Sequence, residues 1–209
     1  MNQEIKPTIF SPTNLNSGFE KFLLPTNFRN QIAKYSDSFL TAGEKEACNV
    51  LESFVFKRHL NYSKYISKPL KSHTSCSRLS PYLAWGNVSV RQAYQQTKRT
   101  NLTLKNKRSI NAFIARLKWR SHFIQKFESD CDYENKFVNR AYKNIEFDEN
   151  TSFLQKWKEG LTGYPLIDAT MRCLIETGWI NFRMRAMLVS FLCHHLNQDW
   201  RNGIYHLSN

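Results

Sequence analysis

Two clusters in this sequence hold side chains suited to a phosphate-bearing, aromatic ligand. Ser77, Arg78, Leu79 and Ser80 stand just ahead of Pro81, giving two hydroxyls, a guanidinium and the free N–H groups of a helix start. Such a start collects an anion through its orphan donors and positive dipole end. The plainer alternative is ordinary capping by Ser77 or Ser80, with Pro81 just inside the helix. Arg116, Trp119 and Arg120 recur at i, i+3 and i+4, which puts them on one helical face. An indole flanked by two guanidinium groups can stack a base and pair phosphates, or form only a surface cation–π cluster. No acid–base pair or nucleophile triad points to another enzyme class. Cys193, His194 and His195 are adjacent, so on a helix they diverge by about 100° and cannot face one metal ion.

The elements that must position these groups read as helices. Ala47, Val50, Leu51, Phe54 and Val55 predict a first helix from Thr41 or Gly43, with Glu44 and Glu46 favoured in its first turn. Residues 98–109 read as a basic loop. Ile110 to Phe127 predict another helix, with Phe113, Ile114, Leu117 and Ile124 inward. Residues 128–150 read as a polar surface loop. From Trp157 to Arg201 the pattern is a helical hairpin. Pro165 opens one helix, with Leu166, Ile167, Ala169, Thr170, Cys173 and Leu174 at helical spacing, and Gly178 stops it. Met187, Leu188, Phe191, Leu192 and His195 then mark the next. No strand pattern emerges, and the predicted class is all-α. Residues 1–40, with Pro7, Pro12 and Pro25, read as an entry segment, and residues 41–209 as the helical domain.

Composition narrows the partners. The 209 residues carry 30 Lys+Arg against 17 Asp+Glu, a formal charge of +13. That surplus favours a polyanion, nucleic acid before membrane. No apolar run is long enough for a membrane span. The five scattered cysteines lack CxxC spacing and suit reduced thiols in a cytoplasmic setting.

The order W-x-x-G-x-T-G-Y-P-x-x-D-A-x-M-R, then G-W, R-x-R and D-W-R, resembles the flavin-binding half of the DNA photolyase/cryptochrome family. Residues 76–94 and 113–127 resemble two further motifs of that domain, in the same order. The resemblance implies a helical FAD-binding domain that engages DNA carrying pyrimidine dimers and repairs them by light-driven electron transfer. Carried over residue by residue, it implies FAD contacts at Tyr62 (spaced Y-x6-P with Pro69), Cys76, Ser77, Arg78, Leu79, Ser80, Arg120 and Arg185. It implies DNA contacts at Arg116, Trp119, Arg120, Phe182 and Arg183. Trp157 and Trp200 match the outer and middle steps of the family's electron-transfer tryptophans, and no metal is implied.

Several positions depart from the family pattern. Cys76 stands where a threonine is common, Phe182 where an asparagine stands, and Ala186 where a larger side chain is usual. Arg116 replaces a glutamate that hydrogen-bonds the dimer, and arginine cannot accept a hydrogen bond. The chain starts inside the connector that follows the family's antenna domain. It stops soon after D-W-R, before the D-x-D contacts and the innermost tryptophan. A truncated domain, with a flavin cradle incomplete at its C-terminal side, is therefore expected, with a partner chain or dimer as one way to complete it. Other readings fit the residues: a flavin-poor helical module that binds nucleic acid, or a non-functional fragment, and a cryptochrome-like blue-light sensor.

Overall fold

A computed structural model describes residues 37–103, 107–148 and 150–208, together with Thr26. Most of the expected entry segment, residues 1–40, lies outside the described residues. Among those described there are helices and turns and no strand. The all-α expectation holds.

Helix α1 spans Glu44–Phe56, with Glu44 and Glu46 in its first turn. A 3₁₀ turn, Arg58–Asn61, leads into three short helices, α2 (Tyr62–Tyr65), α3 (Ser72–Ser75) and α4 (Ser80–Ala84). Helix α5 (Val90–Thr103) runs through the first half of the predicted basic loop, and α6 covers Arg108–Ser129. The basic residues at 98–103 therefore ride on a helix, because Thr97 and Thr100 are buried on its inner face. Among the described residues of 130–150, the helical pieces are the 3₁₀ turns Cys131–Glu134 and Arg140–Asn144, close to the predicted loop. Helices α7 (Thr151–Glu159), α8 (Pro165–Thr177), α9 (Phe182–His194) and α10 (Arg201–Ile204) complete the described chain.

Two buried clusters organise these helices. In the first, Phe54 meets Phe113 at 4.7 Å between ring centroids and Tyr62 edge-on at 5.4 Å, which locks α1, α2 and α6 together. The second gathers Trp157, Met171, Leu188, Phe191 and Leu192 from α7, α8 and α9. Some inward assignments change. Ile124 is exposed because α6 extends past its partners, and His195 is exposed at the end of α9. Leu166 and Ala169 face outward, while Met171 takes the buried position between α8 and its neighbours.

The segment Trp157 to Arg172 owes its residue pattern to geometry. Gly160 ends α7 in the left-handed region at φ 66°, and a Cβ there would lie 2.9 Å from the Asp168 carbonyl oxygen. The Arg172 guanidinium donates twice to the Gly160 carbonyl, at 3.0 and 2.8 Å. Asp168, buried in the first turn of α8, accepts from the Thr162 N–H and hydroxyl and from the Gly163 N–H, at 2.8, 2.6 and 2.9 Å. Burial alone would raise its pKa. The bonds from Thr162 and Gly163, with Arg172 nearby, outweigh burial and set it below the ordinary aspartate value.

The sign of the pH effect follows. A carboxyl with a depressed folded-state pKa contributes stability that is complete above its unfolded value of about 4 and is lost as pH falls below it. Replacing Asp168 by Asn should cost about 1–3 kcal/mol at neutral pH, since the amide leaves one loop donor unpaired. The gap between wild-type and Asp168→Asn melting temperatures should narrow below about pH 4. Melting curves taken from pH 7 to pH 3 check this, and a gap that stays constant on the acid side would exclude it.

Candidate functional site

One wall of a cavity among the described residues is the turn Cys76–Ser80. It is held from behind by Arg58, which donates to the carbonyls of Cys76, of Val50 at 2.8 Å and of Ser77 at 3.2 Å. Leu79 and Tyr82 are sunk in the first core, and the Tyr82 hydroxyl donates to the Thr41 carbonyl at 2.7 Å. Neither serine caps α4 through its side chain. Leu79 occupies the cap position, and Ser80 is already the first helical residue. Between these anchors Arg78 takes φ 57°, a left-handed backbone rare for a non-glycine residue. Its guanidinium lies over the Trp179 ring, 5.2 Å from the centroid, and its buried Nε has no hydrogen-bond partner. Such strain and such an orphan donor mark a place shaped for a ligand.

The opposite wall comes from α2 and α6. The Arg116 guanidinium stacks on Trp119 at 4.3 Å, and Arg120 donates to the Leu83 carbonyl at 3.2 Å. Tyr62 is buried at the base of this wall. Burial, the largest influence, drives the pKa of its hydroxyl upward, and the Arg116 guanidinium pulls against that. Burial also raises the Cys76 thiol to about 11, so Cys76 is an unreactive neutral lining group.

The third wall is the segment Trp179–Arg183. Asn181 starts α9, its Oδ1 accepting from the Met184 N–H at 2.9 Å while its amide donates to the Ser72 hydroxyl at 2.8 Å. That ties α9 to α3 and leaves Phe182 and Arg183 exposed at the rim.

Together these walls enclose a cavity of about 480 Å³, within the range of small-molecule and cofactor sites. It brings together Tyr62, Cys76, Ser77, Arg78, Leu79 and Ser80 with Arg116, Trp119, Arg120, Phe182 and Arg183. Among the described residues, its lining carries four arginines and no carboxylate. The lining also includes Trp179 and Phe123, which were not among the expected site residues. Phe123 was within reach of sequence, at four residues from Trp119 on the same face; Trp179 was visible only as the second half of a G-W pair.

Three expected site residues lie elsewhere. Arg185 is absent from the cavity lining and donates to the Leu207 carbonyl beyond α10. Burial lowers its pKa, and it acts as a brace between α9 and the residues after α10. Trp157 is fully buried, its indole N–H donating to the Leu188 carbonyl at 3.1 Å. The outer step of an electron path must meet a reductant from solvent, and a sealed indole cannot. Trp200, at the cap of α10, is half-buried and is the more accessible of the pair.

Residues 113–209 match a family model described as the FAD binding domain of DNA photolyase. A deoxyribodipyrimidine photo-lyase of Alkalihalophilus pseudofirmus is 33% identical over 85% of this chain and 36% of its own length. The chain belongs to the photolyase/cryptochrome family. A cryptochrome DASH of Synechocystis is 34% identical over 95% of this chain and 42% of its own length. A class III photolyase from Agrobacterium tumefaciens superposes with a TM-score of 0.78 at 24% identity, over 97% of this chain and 41% of that one, and speaks for the fold. The chain thus spans between 27% and 42% of the length of the photolyases and cryptochromes it matches. Among the described residues, no helix is long and apolar enough to cross a membrane.

The donor set fits the cofactor of this domain family. A flavin dinucleotide presents a pyrophosphate and two aromatic systems. The cavity offers it an unpaired buried Arg78 Nε, hydroxyls at Ser77 and Ser80, and the Trp179 wall.

Proposed function

We propose that residues 41–209 act as a photolyase/cryptochrome-type module that binds FAD in this cavity and receives damaged DNA at its rim. The observation that carries the reading is the pairing, in one carboxylate-free cavity, of the strained Arg78 turn with the Arg116–Trp119–Arg120 face. Ser77, Arg78 and Ser80 hold the pyrophosphate, with the orphan Nε as a ready donor, while Tyr62, Cys76 and Leu79 shape the floor. When bound, FAD supplies the light-driven electron that splits pyrimidine dimers in this family. The chain's own part is placement and charge. Trp119 and Phe182 offer faces to an extruded base. Arg116, Arg120 and Arg183 neutralise the backbone phosphates. Trp200 is the accessible end of the tryptophan pair, and Arg185 supports the site from outside.

The test is a titration with FAD followed by visible absorption. A flavin band with vibronic structure is expected on binding, and Arg78→Ala should weaken the affinity about tenfold by removing a charge-assisted hydrogen bond. Binding that emerges only at high protein concentration would assign completion of the cavity to a second copy. A protein that stays colourless in excess FAD defeats the flavin reading. A flavin-free nucleic-acid module would then take its place, favoured by the +13 charge and by the absence of any acid in the cavity lining.

A further inference from the structure

Behind Trp179 lies a second pocket of about 240 Å³, with walls of Pro69, Leu70, Leu166, Ile180 and Met184. Two reactive groups share its lining, Cys173 of α8 and His73 of α3, 100 residues apart in sequence. The Cys173 sulfur is 3.4 Å from His73 Nε2. The next acceptors within reach of the thiol, the Trp179 carbonyl and the Thr177 hydroxyl oxygen, are both at 3.9 Å. The Thr177 hydroxyl donates its own proton to the Cys173 and Trp179 carbonyls, at 2.7 and 3.0 Å. The imidazole is held edge-on against Trp179, with centroids 4.9 Å apart and planes at 79°. A thiol, a fixed nitrogen base and an open apolar pocket therefore meet at one point. Nothing in the flavin or nucleic-acid reading uses any of them.

We infer that Cys173 and His73 form a thiol addition site for small uncharged α,β-unsaturated carbonyl compounds. His73 Nε2 accepts the thiol proton, and the sulfur lone pair forms a C–S bond to the β-carbon. The displaced π pair becomes an enolate, and the imidazolium returns the proton to the α-carbon. Atoms and electrons balance with no oxidant and no leaving group. The apolar walls select the substrate class, since a charged reagent entering there loses its hydration without a counter-ion. Burial first, and then Arg78, keep the His73 pKa below the ordinary imidazole value, so the ring is neutral and able to accept a proton at pH 7. Arg78 and the Cys173 thiol are the charged or titratable groups the structure places against it.

The test needs no flavin. The whole chain is treated with N-ethylmaleimide, and alkylation is timed at each cysteine by peptide mass spectrometry. Exposed Cys131 serves as the internal reference. Cys173 should react at least about tenfold faster than Cys131, at or below the low end of what a positioned base supplies. The advantage should vanish with anionic iodoacetate. His73→Gln should bring Cys173 down to the Cys131 rate, with Cys131 unchanged. A half-buried Cys173 that reacts no faster than Cys131, or that keeps its rate in folded His73→Gln, overturns the inference. If that variant does not fold, the wild-type pH profile decides. The Cys173 rate should climb below pH 6.5, where His73 loses its proton, and the Cys131 rate should not share that rise. Coincident profiles would overturn it equally.

Discussion

Trp157→Ala is expected to lower the unfolding free energy by about 3–5 kcal/mol, the range for emptying a fully buried large aromatic site. The indole has no exposure, donates to the Leu188 carbonyl, and packs so closely under α10 that a Cβ on Gly203 would sit 3.0 Å from its ring. Truncation removes that apolar area, takes the indole donor from the Leu188 carbonyl and opens a void that α7, α9 and α10 cannot all close. Domains of this kind are stable by about 5–15 kcal/mol, so the variant should be partly unfolded at 37 °C. Urea denaturation followed by circular dichroism measures the loss. Trp157→Phe keeps most of the volume and should cost roughly half as much. An Ala variant within about 1 kcal/mol of wild type would show that this indole is not the keystone of the second core.

The same residue shows where sequence was informative. Pro165 and Gly178 announced the bounds of α8 because capping is local chemistry, readable from a few neighbours. The Ser77–Ser80 turn and the Arg116–Trp119–Arg120 face were legible for the same reason: each lies within a few residues of chain. Their meeting in one cavity was not a local matter. It depends on Arg58 reaching carbonyls 18 and 19 residues away and on Asn181 reaching Ser72 across 109 residues. Long-range anchors of that kind leave no periodic trace. Arg185 makes the converse point. Its place in the R-x-R pair suggested the cavity, while the fold turned it toward the Leu207 carbonyl. Leu166 and Ala169 kept helical spacing and still faced outward, because the apolar stripe of α8 is wider than the surface its partners cover.

The motif around Gly160, Thr162, Gly163 and Asp168 belongs to the frame of the site. Its hydrogen bonds close the α7–α8 turn onto itself, and none of these four residues lines the cavity. A family signature can therefore be strong because a turn tolerates little variation, while the groups that meet a ligand sit on other elements. Here they sit on α2, the Cys76–Ser80 turn, α6 and the segment Trp179–Arg183 that leads into α9. Arg116, one of the positions expected from the sequence to depart from the family pattern, lies on one of those elements.

Arg116→Glu is expected to weaken binding to undamaged single-stranded DNA by about ten- to a hundredfold at low salt. The change removes a cation from the face of Trp119 and from beside the Tyr62 hydroxyl, and leaves an anion in a lining that has none. Removing one phosphate-pairing cation should flatten the slope of log K against log salt by about 0.7 for a single strand. Trp119→Ala should behave differently, since removing a base stack costs about 1–3 kcal/mol with little change in that slope. Arg116→Gln, neutral and close in size, separates charge from shape. A carboxylate at this position also accepts hydrogen bonds, which arginine cannot do, so it can receive the N–H edges of a flipped pyrimidine pair. The ratio of affinities for dimer-containing over undamaged strands should therefore rise in Arg116→Glu even as both fall. Filter-binding isotherms at several salt concentrations, on strands with and without a dimer, measure slope and ratio together. An unchanged slope would remove Arg116 from the nucleic-acid face. A slope that falls with a flat ratio would make it a phosphate-pairing residue with no part in reading the base.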